Sequence, residues 1–453
     1  MSNTRFAIFY DNLRASYWFM PAVMTFVAVV IAISLYQLDM AVPNDILYDR
    51  WFVLQQTTEQ ARGSLSLIAT SMLGLIGVVF SMTLVAITMA SSQFGSFLLR
   101  AFLRDTGTQT VLGTYSATIV YCICLLLLLP FSATIDLVPQ IAITFALLLL
   151  FLDLAMLIYY FNHVAVSVQA SNVVAVVARE LGSIIEGELE AARATPVEAS
   201  AAIKSRHKSI RIEGKAVRAM RSGYIRAFDY DGLTRVASKH DLVFLITRMT
   251  GDFLATGEPW LLAWPGDEKV IGSITGQVNS MCLTGETGTM LQDPMFGIGQ
   301  LVVIASRALS PAVNDPLTAI MCVDRLGEAL GKIVARGERT VYRDDAGENL
   351  RVIAESYSFG LLAGAAFNMI RQYGRGSAEV LLRMLASTRY VAPFCRTDDQ
   401  RQVLLQHARL IEADSRAGLP AEYDRERVRL SFEETVRVIG LPVTQEKEPD
   451  QSS

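Results

Sequence analysis

Followed residue by residue, the apolar positions of this chain cluster into long uninterrupted runs up to His163 and into shorter periodic ones beyond it. A helix needs about 20 apolar residues to cross a bilayer core. Phe19 to Leu38 carries no charge, and Arg62 to Arg100 encloses another charge-free stretch, placing a second span at about Leu65 to Ala90. A third uncharged window runs from Thr106 to Ile135, with Pro130 near its far end, and predicts a span over 111–130. The fourth, Ile141 to His163, is interrupted by Asp153 alone. After His163 the pattern changes. Val174, Val177, Leu181, Ile184 and Leu189 recur every three to five residues, so 164–213 reads as an amphipathic stalk and linker. That face either pairs with a partner subunit or packs on its own domain. Residues 214–268 alternate as strands do, at Tyr224 to Phe228 and Leu242 to Thr247, with turns at Ser222-Gly223-Tyr224 and Thr250-Gly251-Asp252. From 269 to 440 the periodicity is mainly helical, broken by a hairpin between Thr340 and Ala354 around DDAGEN. Asp293-Pro294, Ser310-Pro311 and Asp315-Pro316 each set a capping residue before a proline, which marks helix starts. Further helices are expected at Phe359 to Tyr373, Ser377 to Ser387, Thr397 to Ala417 and Glu422 to Ile439, then a disordered tail at 441–453.

Composition sharpens this division. The 453 residues are 52% hydrophobic and only 19% charged, with 40 Lys and Arg. Six of those bases, Arg5, Arg14, Arg50, Arg62, Arg100 and Arg104, precede His163. Such segregation excludes a single soluble domain, a disulfide scaffold and a disordered regulator, and it identifies a membrane protein. The net charge of −4 leaves no basic excess for nucleic acid, so none is expected as a partner; the lipid bilayer is. Bases flank the first span and follow the second, whereas the loops Asp39 to Gly63 and Asp136 are acidic, so both termini are expected inside. Asp11 and Arg14 precede the first span and no small-residue cleavage site follows it, so it reads as an anchor. The five cysteines form no Cys-x-x-Cys and the four histidines are scattered, so neither a metal nor a cofactor is expected.

Two resemblances add expectations. SGYIRAFDYDGL and GDFLATGEPWLLA resemble a barrel-sandwich hybrid module of the lipoyl and biotinyl type, though no modifiable lysine stands at a turn between them. That resemblance implies a small β-barrel-like shape without carrier chemistry. MTLVAITMASSQFGSFLLRAFLRDTGTQTVLGTY and QDPMFGIGQLVVIASRALSPAVNDPLTAIMCVDRL resemble the hallmark blocks of a bacterial membrane family, domain of unknown function 2254. The likeness runs from the first span to about Gly440. It implies a bacterial inner-membrane protein with a cytoplasmic domain and supplies no activity. The usual family form has Arg in place of Gly299 and Asp in place of Val303, so any site built on that charge pair is lost in this chain.

Three features carry candidate chemistry. Asp153 sits mid-span, where an acid is a functional candidate by default; the plain alternative is a protonated acid bonded to a neighbouring helix. Ser71, Gly74, Ser81, Thr88 and Ser92, with Val78 and Val85, form one stripe of the second span. Small hydroxylated stripes pack helices closely or line a pore. Arg307, Ser310, Asn314 and Asp315 gather at a turn between two helices, as either an anion site or a set of caps. TGETGT at Thr284 to Thr289 lacks the Lys-Ser/Thr of a phosphate loop, and no catalytic triad or dinucleotide fingerprint is present, so no enzyme is expected. The resulting expectation is an α-helical membrane protein with four transmembrane helices and a cytoplasmic α+β region. It would act as a homo-oligomeric channel or transport-type protein for ions or small solutes. The alternative is a non-conducting sensor or scaffold.

Overall fold

The computed structural model describes residues 18–41, 56–94, 105–129, 138–191, 201–336, 341–345, 347 and 349–440. Arg5, Arg14, Arg50, Arg100, Arg104, most of the first outer loop, Pro130, Asp136 and the C-terminal tail lie outside them. The chain forms two compact units, Met1–Asn172 and Val173–Ser453.

The first unit holds four helices long and apolar enough to cross a membrane: α1 (Phe19–Ala41), α2 (Thr58–Phe94), α3 (Thr106–Leu128) and α4 (Gln140–Ser167). The third span, expected at 111–130, therefore begins earlier, because Asp105 caps α3 by accepting from the backbone of Gly107 and Thr108. Packing centres on α3, which touches the other three helices and is the most enclosed of the four. Its Gly113 has the Met24 side chain of α1 lying where a side chain would begin, so any larger residue there would have to displace Met24. On α2 the inward face is Leu65, Ile68, Met72, Val79, Ala86 and Ala90.

The second unit opens with α5 (Ala170–Ala191), whose Val173, Val174, Val177, Leu181 and Ile184 are buried. Leu181 meets Gly297, and Glu186 pairs with Lys332 at 3.7 Å, so this face packs within its own unit. After α6 (Ala201–Glu213) come β1 (Lys215–Arg218), β2 (Gly223–Phe228), α7 (Tyr230–Lys239), β3 (Val243–Ile246), β4 (Phe253–Leu254), β5 (Pro259–Trp264), α8 (Glu268–Asn279) and β6 (Cys282–Gly285). Two helices follow, α9 (Pro294–Ala308) and α10 (Pro316–Arg336), then the hairpin β7 (Val341–Asp344) and β8 (Leu350–Ala354). The remaining helices are α11 (Phe359–Gly374), α12 (Ala378–Val391), α13 (Asp398–Gly418) and α14 (Glu422–Ile439). Ser310-Pro311 opens a turn, not a helix.

The barrel expectation is corrected here. The strands form an open five-stranded sheet, β1-β5-β3-β8-β7, and a three-stranded one, β4-β2-β6. Every pairing is antiparallel except β3 with β8. The physical reason lies in β3, whose four residues Val243 to Ile246 are all buried. Phe244 and Ile246 enter a core with Phe228, Trp260 and Val352, while Val243 and Leu245 face Ile210 of α6 and Ile353. A strand covered on both faces belongs inside a layered α+β unit. Downstream, Thr397 and Gln400 form a capping box on α13, and Gly440 closes α14 in the left-handed conformation.

Candidate functional site

The polar groups that converge in the first unit lie along the seam between α3 and α4. On α4, Asp153, Met156, Tyr160 and His163 recur at spacings of three and four; Thr108, Val111, Tyr115, Thr118 and Cys122 do the same on α3. Antiparallel packing joins the two ladders. At one end the Asp105 carboxylate accepts from the Thr108 backbone at 3.0 Å and from its hydroxyl at 2.6 Å. It also holds His163 Nε2 at 2.7 Å. Tyr159 stacks on the imidazole, ring centroids 5.4 Å apart. Gly107 backs it so closely that a Cβ would stand 2.6 Å from Nε2. A small cleft opens here, lined by Thr83, Asp105, Thr108, His163 and Ser167 among others.

One turn deeper, Thr83 Oγ1 and the Tyr160 hydroxyl are 2.5 Å apart, and both reach the Val79 carbonyl, at 2.7 and 3.0 Å. Three contacts share two hydroxyl protons. One hydroxyl donates to Val79 and the other donates to it, so two arrangements are available. Tyr115 then donates to the backbone carbonyl of Asp153 at 3.1 Å. Asp153 itself is fully buried, and the buried Thr118 hydroxyl of α3 stands beside its carboxyl as a donor. No Lys, Arg or His among the described residues pairs with it, and a buried acid without a cationic partner is costly.

Past Asp153 the seam is mainly apolar: Cys122, Leu125 and Leu129 pack on Ala142, Ile143 and Ala146, and the buried Tyr121 hydroxyl donates to the Ala142 carbonyl at 2.8 Å. At the opposite end polar groups satisfy one another. Asp39 of α1 accepts from the backbone of Ile141 and Ala142, at 3.0 and 2.9 Å, and so caps α4. Gln56 and Gln140 exchange two bonds of 3.0 Å, and Arg62 donates to the Leu129 carbonyl at 2.6 Å.

Of the residues singled out in the sequence, Asp153 stands in this seam and the second-span stripe does not. Ser71, Gly74, Ser81, Thr88 and Ser92 lie on the outward face of α2 and are exposed in the protomer. Thr88 and Ser92 donate to their own helix, to the Leu84 and Met89 carbonyls, and a Cβ at Gly74 would meet nothing. Arg307, Ser310, Asn314 and Asp315 do come together. Ser310 donates to the Arg307 carbonyl at 2.7 Å, Asn314 is left-handed at φ 48°, and Asp315 takes the backbone and hydroxyl of Thr318. A Cβ at Gly299 would meet nothing within 4 Å, so a side chain could begin there without displacing a neighbour.

Sequence reading missed Asp105, His163, Thr83, Tyr115, Tyr160 and Thr118. It also missed a buried latch in the second unit. Asp293 caps α9 through the Phe296 backbone and accepts from the Tyr357 hydroxyl at 3.3 Å; Tyr357 also reaches the Thr250 carbonyl. Thr250 in turn donates to the Gln292 carbonyl at 2.7 Å, and Gln292 accepts from the Phe228 backbone at 3.0 Å. Burial pushes the Asp293 carboxyl up to about 6, and burial raises the Tyr357 phenol as well. The chemistry of this cluster is that of a fastener between α9 and the strands. Among the described residues, no three His, Cys, Asp or Glu side chains gather as a metal site would require.

Four apolar helices of spanning length ahead of an α+β unit define a multi-span membrane protein with a large extramembrane region. The chain belongs to the family described as "Predicted membrane protein (DUF2254)", whose model matches residues 14–389. Among its relatives are Uncharacterized protein Rv1290c of Mycobacterium tuberculosis and Uncharacterized protein Mb1321c of Mycobacterium bovis. Each is 30% identical over 469 aligned residues, covering 98% of this chain and 84% of the relative. No solved structure matches the chain.

Proposed function

We propose that the protein is a transport-type membrane protein for ions or small solutes. The observation that carries this reading is Asp153, a fully buried mid-span acid that has the Thr118 hydroxyl beside it and no cationic partner among the described residues. An intramembrane acid with no base to neutralise it is a functional candidate by default. The reading places the protein in the bacterial inner membrane with both termini and the His163 end cytoplasmic, on the strength of the loop charges. It also takes the protein to be a homo-oligomer. The outward stripe of Ser71, Gly74, Ser81, Thr88 and Ser92 supports that, since small residues let a second copy approach closely or share a path. The second unit would assemble or gate the spans, with the Arg307–Asp315 turn as a ligand point if it binds an anion.

A non-conducting sensor or scaffold is the second reading. The half of the seam beyond Asp153 favours it, being mainly apolar with its Tyr121 hydroxyl committed to the Ala142 carbonyl, because a conduction path must continue to both sides. Proteoliposome flux decides between them. Wild-type protein should pass an ion or small solute, and Asp153→Asn should change the pH or ion dependence of that flux. Ser81→Leu should reduce it if the stripe faces a path, and Ser81→Cys should cross-link copies if it faces a neighbour. Silence across voltage, pH and membrane tension would leave the scaffold reading.

A further inference from the structure

Between α6 and β2 the second unit carries a basic ridge. Lys208, Arg211, Lys215, Arg218 and Arg221 are all exposed, and Glu213 is the one acid among the residues they span. β1 is the terminal strand of its sheet and, among the described residues, pairs with β5 alone. Gly214 turns α6 into it so tightly that a Cβ would stand 2.4 Å from the Ile210 carbonyl oxygen and 3.1 Å from Leu262 Cβ of β5. The bases of α6 therefore run on into those of the strand. Beyond β1, Asn279 accepts from the Met220 backbone at 3.1 Å and donates to the Arg218 carbonyl at 3.0 Å, so the loop that presents Arg221 is held. Two large apolar side chains share the ridge: Ile212 is 73% exposed and Met220 61%.

We infer that this ridge docks on the bilayer surface, its bases against anionic lipid headgroups and Ile212 and Met220 entering the interface between them. Bases alone would serve to keep a sheet edge from pairing with another strand. That purpose gives no reason to hold an isoleucine and a methionine in water among them. An anionic bilayer suits both kinds of group at once, since its phosphates take the charges and its acyl boundary takes the apolar tips. It is also within reach, because the same chain carries four helices of spanning length.

The charge of the ridge is available for such contact. Among the described residues Lys208, Lys215 and Arg221 make no ion pair or side-chain hydrogen bond. The acids around them have other partners. Glu213 accepts from the Trp264 indole at 3.0 Å, Asp267 caps α8, Glu258 pairs with Arg248, and Glu355 engages Arg211. Nucleic acid is the poorer match, because no Phe, Tyr or Trp lies between Lys208 and Arg221 to stack on a base. Docking of this kind is independent of conduction through the spans.

Amine footprinting of the full-length protein, in nanodiscs of phosphatidylcholine with and without phosphatidylglycerol, tests this. A neutral acylating reagent, the N-hydroxysuccinimide ester of acetic acid, modifies accessible lysines, and peptide mass mapping reads each site. Modification of Lys208 and Lys215 should fall about fivefold when phosphatidylglycerol is present. It should recover in about 1 M salt, where charges are screened beyond about 3 Å. Lys239, exposed on α7, which packs at the β8 side of the sheet, should not change. Ile212→Ser with Met220→Ser should raise the modification in phosphatidylglycerol about twofold or more, with the thermal midpoint unmoved because both side chains are exposed. The wild-type comparison stands even if that variant misfolds. Equal modification of Lys208 and Lys215 in the two lipids overturns the inference, and so does a fall that Lys239 shares. Protection by added RNA where phosphatidylglycerol gives none would assign the ridge to nucleic acid and overturn it as well.

Discussion

Replacing Gly251 with alanine should destabilise the second unit far more than the same change at Gly257, although the two backbones are nearly alike. Both are left-handed, at φ 89° and 85°. Each substitution therefore costs about 1–2 kcal/mol of backbone strain, offset by about 0.4–1 kcal/mol from a stiffer unfolded chain. At Gly257 nothing lies where the methyl would go. At Gly251 the methyl falls on Asp293 Oδ2, which is held as the α9 cap and by Tyr357. Displacing that cap costs about 1 kcal/mol, and overpacking adds about 1–2 kcal/mol. The two variants should thus differ by about 2–3 kcal/mol, or roughly 4–12 °C in the midpoint for a unit of this size. Thermal unfolding of the whole chain, with Trp18 and Trp51 changed to Phe, would report through Trp260 and Trp264. Equal midpoints would refute the argument, since they would mean that Asp293 moves aside freely. So would full additivity of Gly251→Ala with Asp293→Ala, because groups in contact should couple.

Opposed pH dependences should hide in the same unit. The raised Asp293 carboxyl binds its proton more tightly folded than unfolded, so stability falls as pH rises from about 4 to about 6. His407, which burial and then Arg371 push down to about 4, acts in the other sense: stability falls as pH drops through about 6.5 to about 4. Each is worth about 3 kcal/mol, so urea melts of His407→Phe should reveal the first slope and Asp293→Asn the second; flat profiles in both would sink the assignment. At the exposed turn, Asp315→Ala should lower stability by about 1 kcal/mol whether or not phosphate is present. Phosphate stabilisation of wild type that the variant loses would establish an anion site instead. In the first unit, Gly107→Val should push His163 from Asp105 and shift the imidazole proton resonances in NMR, whereas unchanged resonances would show that the wedge is loose.

The helices were legible because charge-free windows and capping pairs are local signals: Asp293-Pro294 and Asp315-Pro316 stand where α9 and α10 begin. Asp153 was legible as a lone acid in an apolar run, but its burial beside Thr118 was not, since that depends on which face α3 presents. The Asp105–His163 pair joins residues 58 apart in sequence. A signal did exist. Asp105 opens one charge-free window and His163 closes another, so antiparallel helices bring them to the same level. The misread barrel has a different cause. Strand alternation tells that Val243 to Ile246 is a strand, but its parallel partner, Val352 to Ala354, lies beyond three helices, and no local pattern announces such a pairing.

That parallel pairing also sets a schedule for synthesis. While β8 is still unmade, the fully apolar β3 has β5 on one side and an open edge on the other. About 100 residues separate the two, which at ribosomal speed is roughly 5–20 s of exposure. Throughout that interval the nascent chain presents Val-Phe-Leu-Ile as a template for any strand that reaches it first, including one from a neighbouring polysome. A chaperone that shields this edge until Ala354 emerges would govern the yield of folded protein more than the strength of any contact in the finished sheet.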